Sequence, residues 1–191
     1  ARLAPWRDLV AGFFDLPELL PYLDRLRSVH IECAPGKDNK SCDLPQALLL
    51  SGWLASSLGL QPHERQIDGD RYALHLINGT RQVSVHINVI DAPGRSVSLL
   101  LQCQATASDP AAEFEVELDD ASGEITATAK VEGSTPVVRK SMAAIREEGS
   151  LLFQELELFS REPAYEAALQ TTSSMLDPRY QPSQVRGSLV V

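Results

Sequence analysis

The sequence predicts an α+β domain: an antiparallel meander sheet of about five to six strands with helices packed on one face. Three observations carry this reading. Between residues 71 and 131 apolar and polar side chains alternate with period two, as in strands with one covered and one polar face. Asn78-Gly79 and Asp91-Ala92-Pro93-Gly94 interrupt the alternation with turn chemistry. Ala47 to Leu58 is too apolar for a helix with an open face, so it fits one buried on most of its surface.

Pro5 to Leu26 is helical in character. Pro5 suits a first turn, and Leu9, Val10, Phe13 and Phe14 share a face, while Pro17 and Pro21 divide the segment into two short helices. Ser28 to Cys33 alternates as a strand, with Val29, Ile31 and Cys33 on one side and His30 and Glu32 on the other. Ala34 to Ser41 is a polar loop. Asp43 is an N-cap for the apolar helix, Pro45 is tolerated in its first turn, and Gly59 ends it.

Arg71 to Ile77 and Arg81 to Ile90 flank Asn78-Gly79 as a type I′ hairpin, which puts Leu74 opposite Val83 and Tyr72 opposite Val85. The core face is then Tyr72, Leu74, Leu76, Val83, Val85, Ile87 and Val89, and the polar face carries His75, Gln82, Ser84, His86 and Asn88. The following strands send Val97, Leu99, Leu101 and Cys103, then Phe114, Val116 and Leu118, then Ile125, Ala127, Ala129 and Val131 inward. The cover is helical: Asp43 to Leu58, the apolar run Leu151 to Phe159, and Ala164 to Leu176. Residues 178–191 form a tail with two prolines, free to dock or to move. With no repeat and no linker, residues 1–191 read as a single α+β domain. It opens at Ala1 directly into helical sequence, as a piece of a longer protein would.

Composition narrows the function. Of 191 residues, 17 are Lys or Arg and 26 Asp or Glu, giving a net charge of −9, which disfavours nucleic acid as a partner. No apolar run approaches the roughly 20 residues a membrane span needs, so no membrane role is expected. No signal-peptide pattern opens the chain, and its three cysteines are an odd count without C-x-x-C, so a cytoplasmic protein is the expectation.

Catalytic motifs are missing: no G-x-S-x-G, no Walker A, no G-x-G-x-x-G and no H-E-x-x-H. His75 and His86 share one polar face, but two histidines without a third ligand make a weak metal signal, and polar strand positions account for them better. Glu113, Glu115 and Glu117 lie at strict alternation beside Thr126, Thr128 and Lys130, which reads as a solvated face rather than an acid–base pair. Arg139, Lys140 and Arg146 form a basic group after Gly133-Ser134-Thr135. Together they are candidates for contact with an anion or an acidic partner, against a background of ordinary surface charge. Cys42 lies just before the N-cap of the apolar helix, where the helix dipole and Lys40 lower a thiol pKa. Cys33 ends the preceding strand, close enough along the chain for a reversible disulfide, so Cys33 and Cys42 are candidates for a redox switch. The competing reading makes Cys33, like Cys103, a small buried apolar residue.

The run Gln46-Ala47-Leu48-Leu49-Leu50-Ser51-Gly52-Trp53-Leu54-Ala55-Ser56-Ser57-Leu58-Gly59 resembles the OpcA family of glucose-6-phosphate dehydrogenase assembly proteins. Ala4 to Leu9 and Leu156 to Leu169 are similar to the same family, so the resemblance spans most of the chain in order. Family members are longer, and this chain matches their C-terminal portion. The resemblance implies a non-catalytic partner that binds glucose-6-phosphate dehydrogenase and supports its active oligomer in the oxidative pentose phosphate pathway, without a metal or cofactor. In cyanobacteria it also implies redox control linked to thioredoxin as a further partner. The alternative from another class is a sugar-phosphate binding domain. That reading uses the polar face of His75, Gln82, His86 and Gln102, with Arg139 and Lys140 supplying charge.

Overall fold

The computed structural model describes residues 4–33, 44–90, 95–119, 122–142, 163–177 and 179. Pro5 sits in the first turn of α1 (Ala4–Phe14), which is followed by a 3-10 helix (Leu20–Arg25), so the proline-divided segment does form two short helices. The strands are β1 (Leu26–Cys33), β2 (Gln61–Asp68), β3 (Arg71–Asn78), β4 (Arg81–Val89), β5 (Arg95–Cys103), β6 (Ala112–Asp119), β7 (Glu124–Val131) and β8 (Val137–Met142). Helix α2 (Leu44–Ser57) lies between β1 and β2, and α3 (Pro163–Met175) follows the sheet.

All eight strands form one sheet in the order β2-β3-β4-β1-β5-β6-β7-β8. It is mixed rather than an antiparallel meander of five to six strands: β1 is inserted between β4 and β5, parallel to the first and antiparallel to the second. Two strands are additional to the expected set. β2 carries no apolar alternation, because it is an edge with only Arg65 buried and Ile67 left exposed. β8 is the other edge, where Val137 and Val138 are both exposed.

The hairpin register also differs from expectation. Leu74 pairs with Val85, Leu76 with Val83 and Tyr72 with Ile87, because Asn78 pairs with Arg81 and the two-residue loop is Gly79-Thr80. Gly79 takes φ +59°, which suits a primed hairpin turn. The slip is two residues, so no side chain changes face.

Inward residues of adjacent strands coincide in register. Val29 pairs with Val85 and Leu101, Ile31 with Ile87 and Leu99, and Leu101 with Phe114. All of these side chains are buried in one core. Helix α2 covers β1 and β4, while α1 covers β6 and β7. The aromatic rings of Phe13, Phe14 and Tyr22 surround that of Phe114 at 5.3, 4.9 and 5.9 Å.

Helix α2 is sandwiched between sheet and α3. Its end is closed by Gly59 at φ +64°. The Leu60 N–H donates to the Ala55 carbonyl at 2.8 Å and the Gly59 N–H to Ser56 at 3.2 Å, which satisfies two orphan carbonyls. Arg65, 7% exposed, reaches from β2 to donate to the Leu176 carbonyl just past the end of α3. A guanidinium there meets the negative end of the helix dipole. The predicted helix over Leu151–Phe159, the loop holding Cys42, Arg146, and all of the 178–191 tail except Arg179 lie outside the described residues.

Candidate functional site

With the described helices on the inner face, the opposite face of the sheet carries the polar side chains that alternation sends outward. Register arranges them in rows across the strands. One row runs Gln66, Ala73, His86, His30, Leu100, Glu115, Thr128, Val138. A neighbouring row runs Glu64, His75, Ser84, Ser28, Gln102, Glu113, Lys130. Hydrogen bonds knit the centre. The Ser28 hydroxyl donates to Gln102 Oε1 at 2.9 Å, and Gln102 Nε2 donates to Glu113 Oε1 at 3.0 Å. With its proton committed to Gln102, Ser28 Oγ accepts from His30 Nε2 at 3.3 Å, which places the His30 proton on Nε2.

His75 and His86 do share this face, and the inserted strand adds His30, which stacks on His86 with ring centroids 5.0 Å apart and planes 16° apart. Burial, then the neighbouring His30 and His75, lower the pKa of His86 from its ordinary 6.5. In the unfolded chain His86 therefore takes up a proton more readily than in the fold. Its neutral form contributes stability that is present above about pH 6.5 and lost as pH falls through the lower folded value. Thermal melting should show a fall in midpoint between pH 7.5 and 5.5 that is smaller in His86→Gln. An unchanged fall in that variant would place the acid sensitivity elsewhere. Stacked rings do not converge on a point, and among the described residues no group of three His, Cys, Asp or Glu is placed to hold a metal ion.

The basic candidates divide. Arg139 points to the helix side and donates to the Gly12 carbonyl of α1 at 3.0 Å. Lys140 points to the other side and pairs with Glu124 at 2.6 Å. Five strand spacings separate β8 from β4, roughly 24 Å, so neither residue supplies charge beside His75 and His86. The carboxylate row is likewise engaged, with Lys130 pairing with Glu115 at 3.0 Å. Cys33 has no exposed surface at the end of β1. Cys103 is buried too, and burial pushes its thiol pKa up to about 12. No described helix is long and apolar enough to cross a membrane.

At the corner where β2, β3 and β4 meet, the outward face sinks into a hollow of about 590 Å³. Gln66, Asp68, Arg71, His86 and Asn88 supply its polar lining, with Ala73 between them. Sequence reasoning places Asn88 and His86 on this face. It misses the β2 residues, because an edge strand that buries little leaves no apolar alternation to read.

Comparison with known proteins adds the following. Residues 1–169 match the family model that describes the C-terminal domain of a glucose-6-phosphate dehydrogenase subunit. A protein of Synechococcus elongatus, named as the OxPP cycle protein OpcA, is 29% identical over 189 residues, covering 93% of this chain and 40% of the relative. A Nostoc punctiforme protein of the same name is 25% identical over 183 residues, covering 91% and 38%. The chain thus spans well under half the length of these relatives. Among solved structures, a super-repressor mutant of Gal80p from Saccharomyces cerevisiae has a TM-score of 0.41 at 11% identity, covering 87% of this chain and 58% of that one. The dehydrogenase MviM from Clostridium difficile has a TM-score of 0.43 at 10% identity, covering 86% and 59%. Both likenesses are remote in sequence and in shape.

Proposed function

The chain belongs to the family defined by the C-terminal domain of the glucose-6-phosphate dehydrogenase subunit, and from that premise we propose that it is a non-catalytic partner of glucose-6-phosphate dehydrogenase. It docks on the enzyme through the outward face of its sheet and favours the enzyme's active oligomer. The observation that carries this reading is the open face itself. Eight strands lie side by side with the described helices on one side and no described element over the other. Seven spacings of about 4.8 Å and strands of about eight residues give roughly 900 Å². A stable interface buries about 800 Å² on each partner, so the face is large enough. The names of the cyanobacterial relatives support a place in the oxidative pentose phosphate cycle.

An effector of this kind works by binding the active state of the enzyme better than the inactive one. Leu100 stands mid-face between His30 and Glu115, half-buried and apolar in a polar setting, where an interface anchor belongs. Leu100→Glu should weaken binding to the dehydrogenase from the same source by about tenfold or more, because it buries a charge with no partner. Tyr165→Ser, on the exposed side of α3, should bind as the parent does. Equal binding and equal stimulation of the enzyme by Leu100→Glu would overturn the docking face.

Redox control through Cys33 and Cys42, with thioredoxin as the reductant, belongs to the same proposal. Cys33 is buried, so its reaction with an oxidant in solution should be slow. Stimulation that stays equally redox-sensitive in Cys42→Ser would remove this part and leave the docking face standing.

A further inference from the structure

We propose that the hollow at the β2–β3–β4 corner is a binding site for a phosphorylated sugar or polyol, the phosphate on Arg71 and the hydroxyls on Gln66, Asp68 and Asn88. The site follows from register. Asp68, Arg71 and Asn88 form one cross-strand row and Gln66, Ala73 and His86 the next. Ala73 is the one methyl side chain among longer neighbours, so it forms the floor and they form the walls. The space, about 590 Å³, falls within the range of small-molecule pockets.

The chemistry of the walls selects the ligand. Arg25, Arg81, Lys130 and Lys140 are each within ion-pair distance of a carboxylate. Arg71 makes no ion pair or hydrogen bond among the described residues, and it is exposed at the rim. Arg71 carries an uncommitted guanidinium in the hollow, with Asp68 opposite it on β2, and its planar fork suits phosphate oxygens. A single carboxylate and two side-chain amides supply the acceptors and donors that sugar hydroxyls use. Ile90 adds an apolar contact for the C–H side of a sugar ring. One carboxylate is too few for a divalent cation, and the polar majority of the wall does not suit an acyl chain. The hollow lies in the same outward face as the proposed docking surface, but the test uses the chain alone, so failure of the docking reading leaves this proposal standing.

The test is titration of the isotope-labelled 191-residue chain with glucose 6-phosphate, glucose and inorganic phosphate, followed by amide shifts and by calorimetry. Glucose 6-phosphate should shift residues of β2, β3 and β4 around Ala73 and bind at least about tenfold more tightly than glucose or phosphate alone. Arg71→Gln should weaken it by about tenfold, and Ala73→Leu, which fills the floor, should abolish it. Both substitutions sit on the open face, and unchanged melting verifies that each variant is folded. No shift at about 10 mM, a Kd well above the mM range, would overturn the proposal. So would phosphate binding as tightly as the sugar phosphate, or undiminished binding by folded Ala73→Leu.

Discussion

Gly52→Ala is expected to destabilise the chain by about 2–3 kcal/mol, read as a shift of the urea midpoint. A methyl group added at Gly52 stands 2.5 Å from the Ala168 carbonyl oxygen and also meets the Thr172 hydroxyl. The first neighbour is backbone of α3 and cannot rotate away. The helices would have to part, and parting them breaks the bonds that the close approach permits. Thr172 Oγ1 lies 3.1 Å from the Leu48 carbonyl across the helix interface and 2.7 Å from the Ala168 carbonyl one turn back in α3, and its one proton is shared between them. Alanine's better helix propensity returns about 1 kcal/mol, which is why the net effect stays below the gross clash. Adding Thr172→Ala to Gly52→Ala removes only the hydroxyl contact, so the double variant should remain well below the parent. A parent-like midpoint for Gly52→Ala would mean that α2 and α3 do not pack at this distance.

Phe114→Ala is expected to cost about 3–5 kcal/mol, the largest effect of any single truncation here. Its ring has no exposed surface and sits on β6 beneath α1. Phe13, Phe14 and Tyr22 all pack against it, and the Arg25 guanidinium lies 4.0 Å from the Tyr22 ring centre. Deleting the ring therefore removes the surface on which α1 and the 3-10 helix are seated. The loss should be local before it is global. Hydrogen exchange in residues 4–25 should quicken by more than in β3 and β4, which lie on the other side of β1. Uniform quickening across the sheet would show that α1 is not held chiefly through Phe114.

The pattern of alternation carries most of the fold and some of the site. Leu99, Phe114, Ile125 and their partners lie at alternate positions in strands that pair with chain neighbours, so local sequence suffices to place them. β2 is invisible because its one buried side chain is an arginine that reaches a helix end, which no apolar pattern marks. The place of β1 is invisible for a different reason. Val29 and Ile31 alternate well, but alternation says only that a strand exists and which face it buries, not which neighbours it takes. The same gap hides the His30–His86 stack. Alternation puts both histidines on the polar side of their strands, yet nothing local brings β1 beside β4. The two-residue register difference at Gly79 is harmless to the core, because a shift of two preserves the face.

The insertion of β1 has a consequence for how the chain is made. Ser28 pairs with Ser84 and Gln102, and the second of these lies 74 positions downstream. At ribosomal rates of about 5–20 residues per second, β1 waits several seconds for the strand that closes over it. Until β4 is made and pairs with β3 through its short turn, Val29, Ile31 and Cys33 have no sheet to enter, and their second neighbour β5 comes later still. The strand that precedes the others in this sheet is therefore secured only after β4 and β5 are made. Its slot at the middle of the sheet makes nascent-chain exposure, rather than the folded surface, the point at which this protein is most open to aggregation and to chaperone capture.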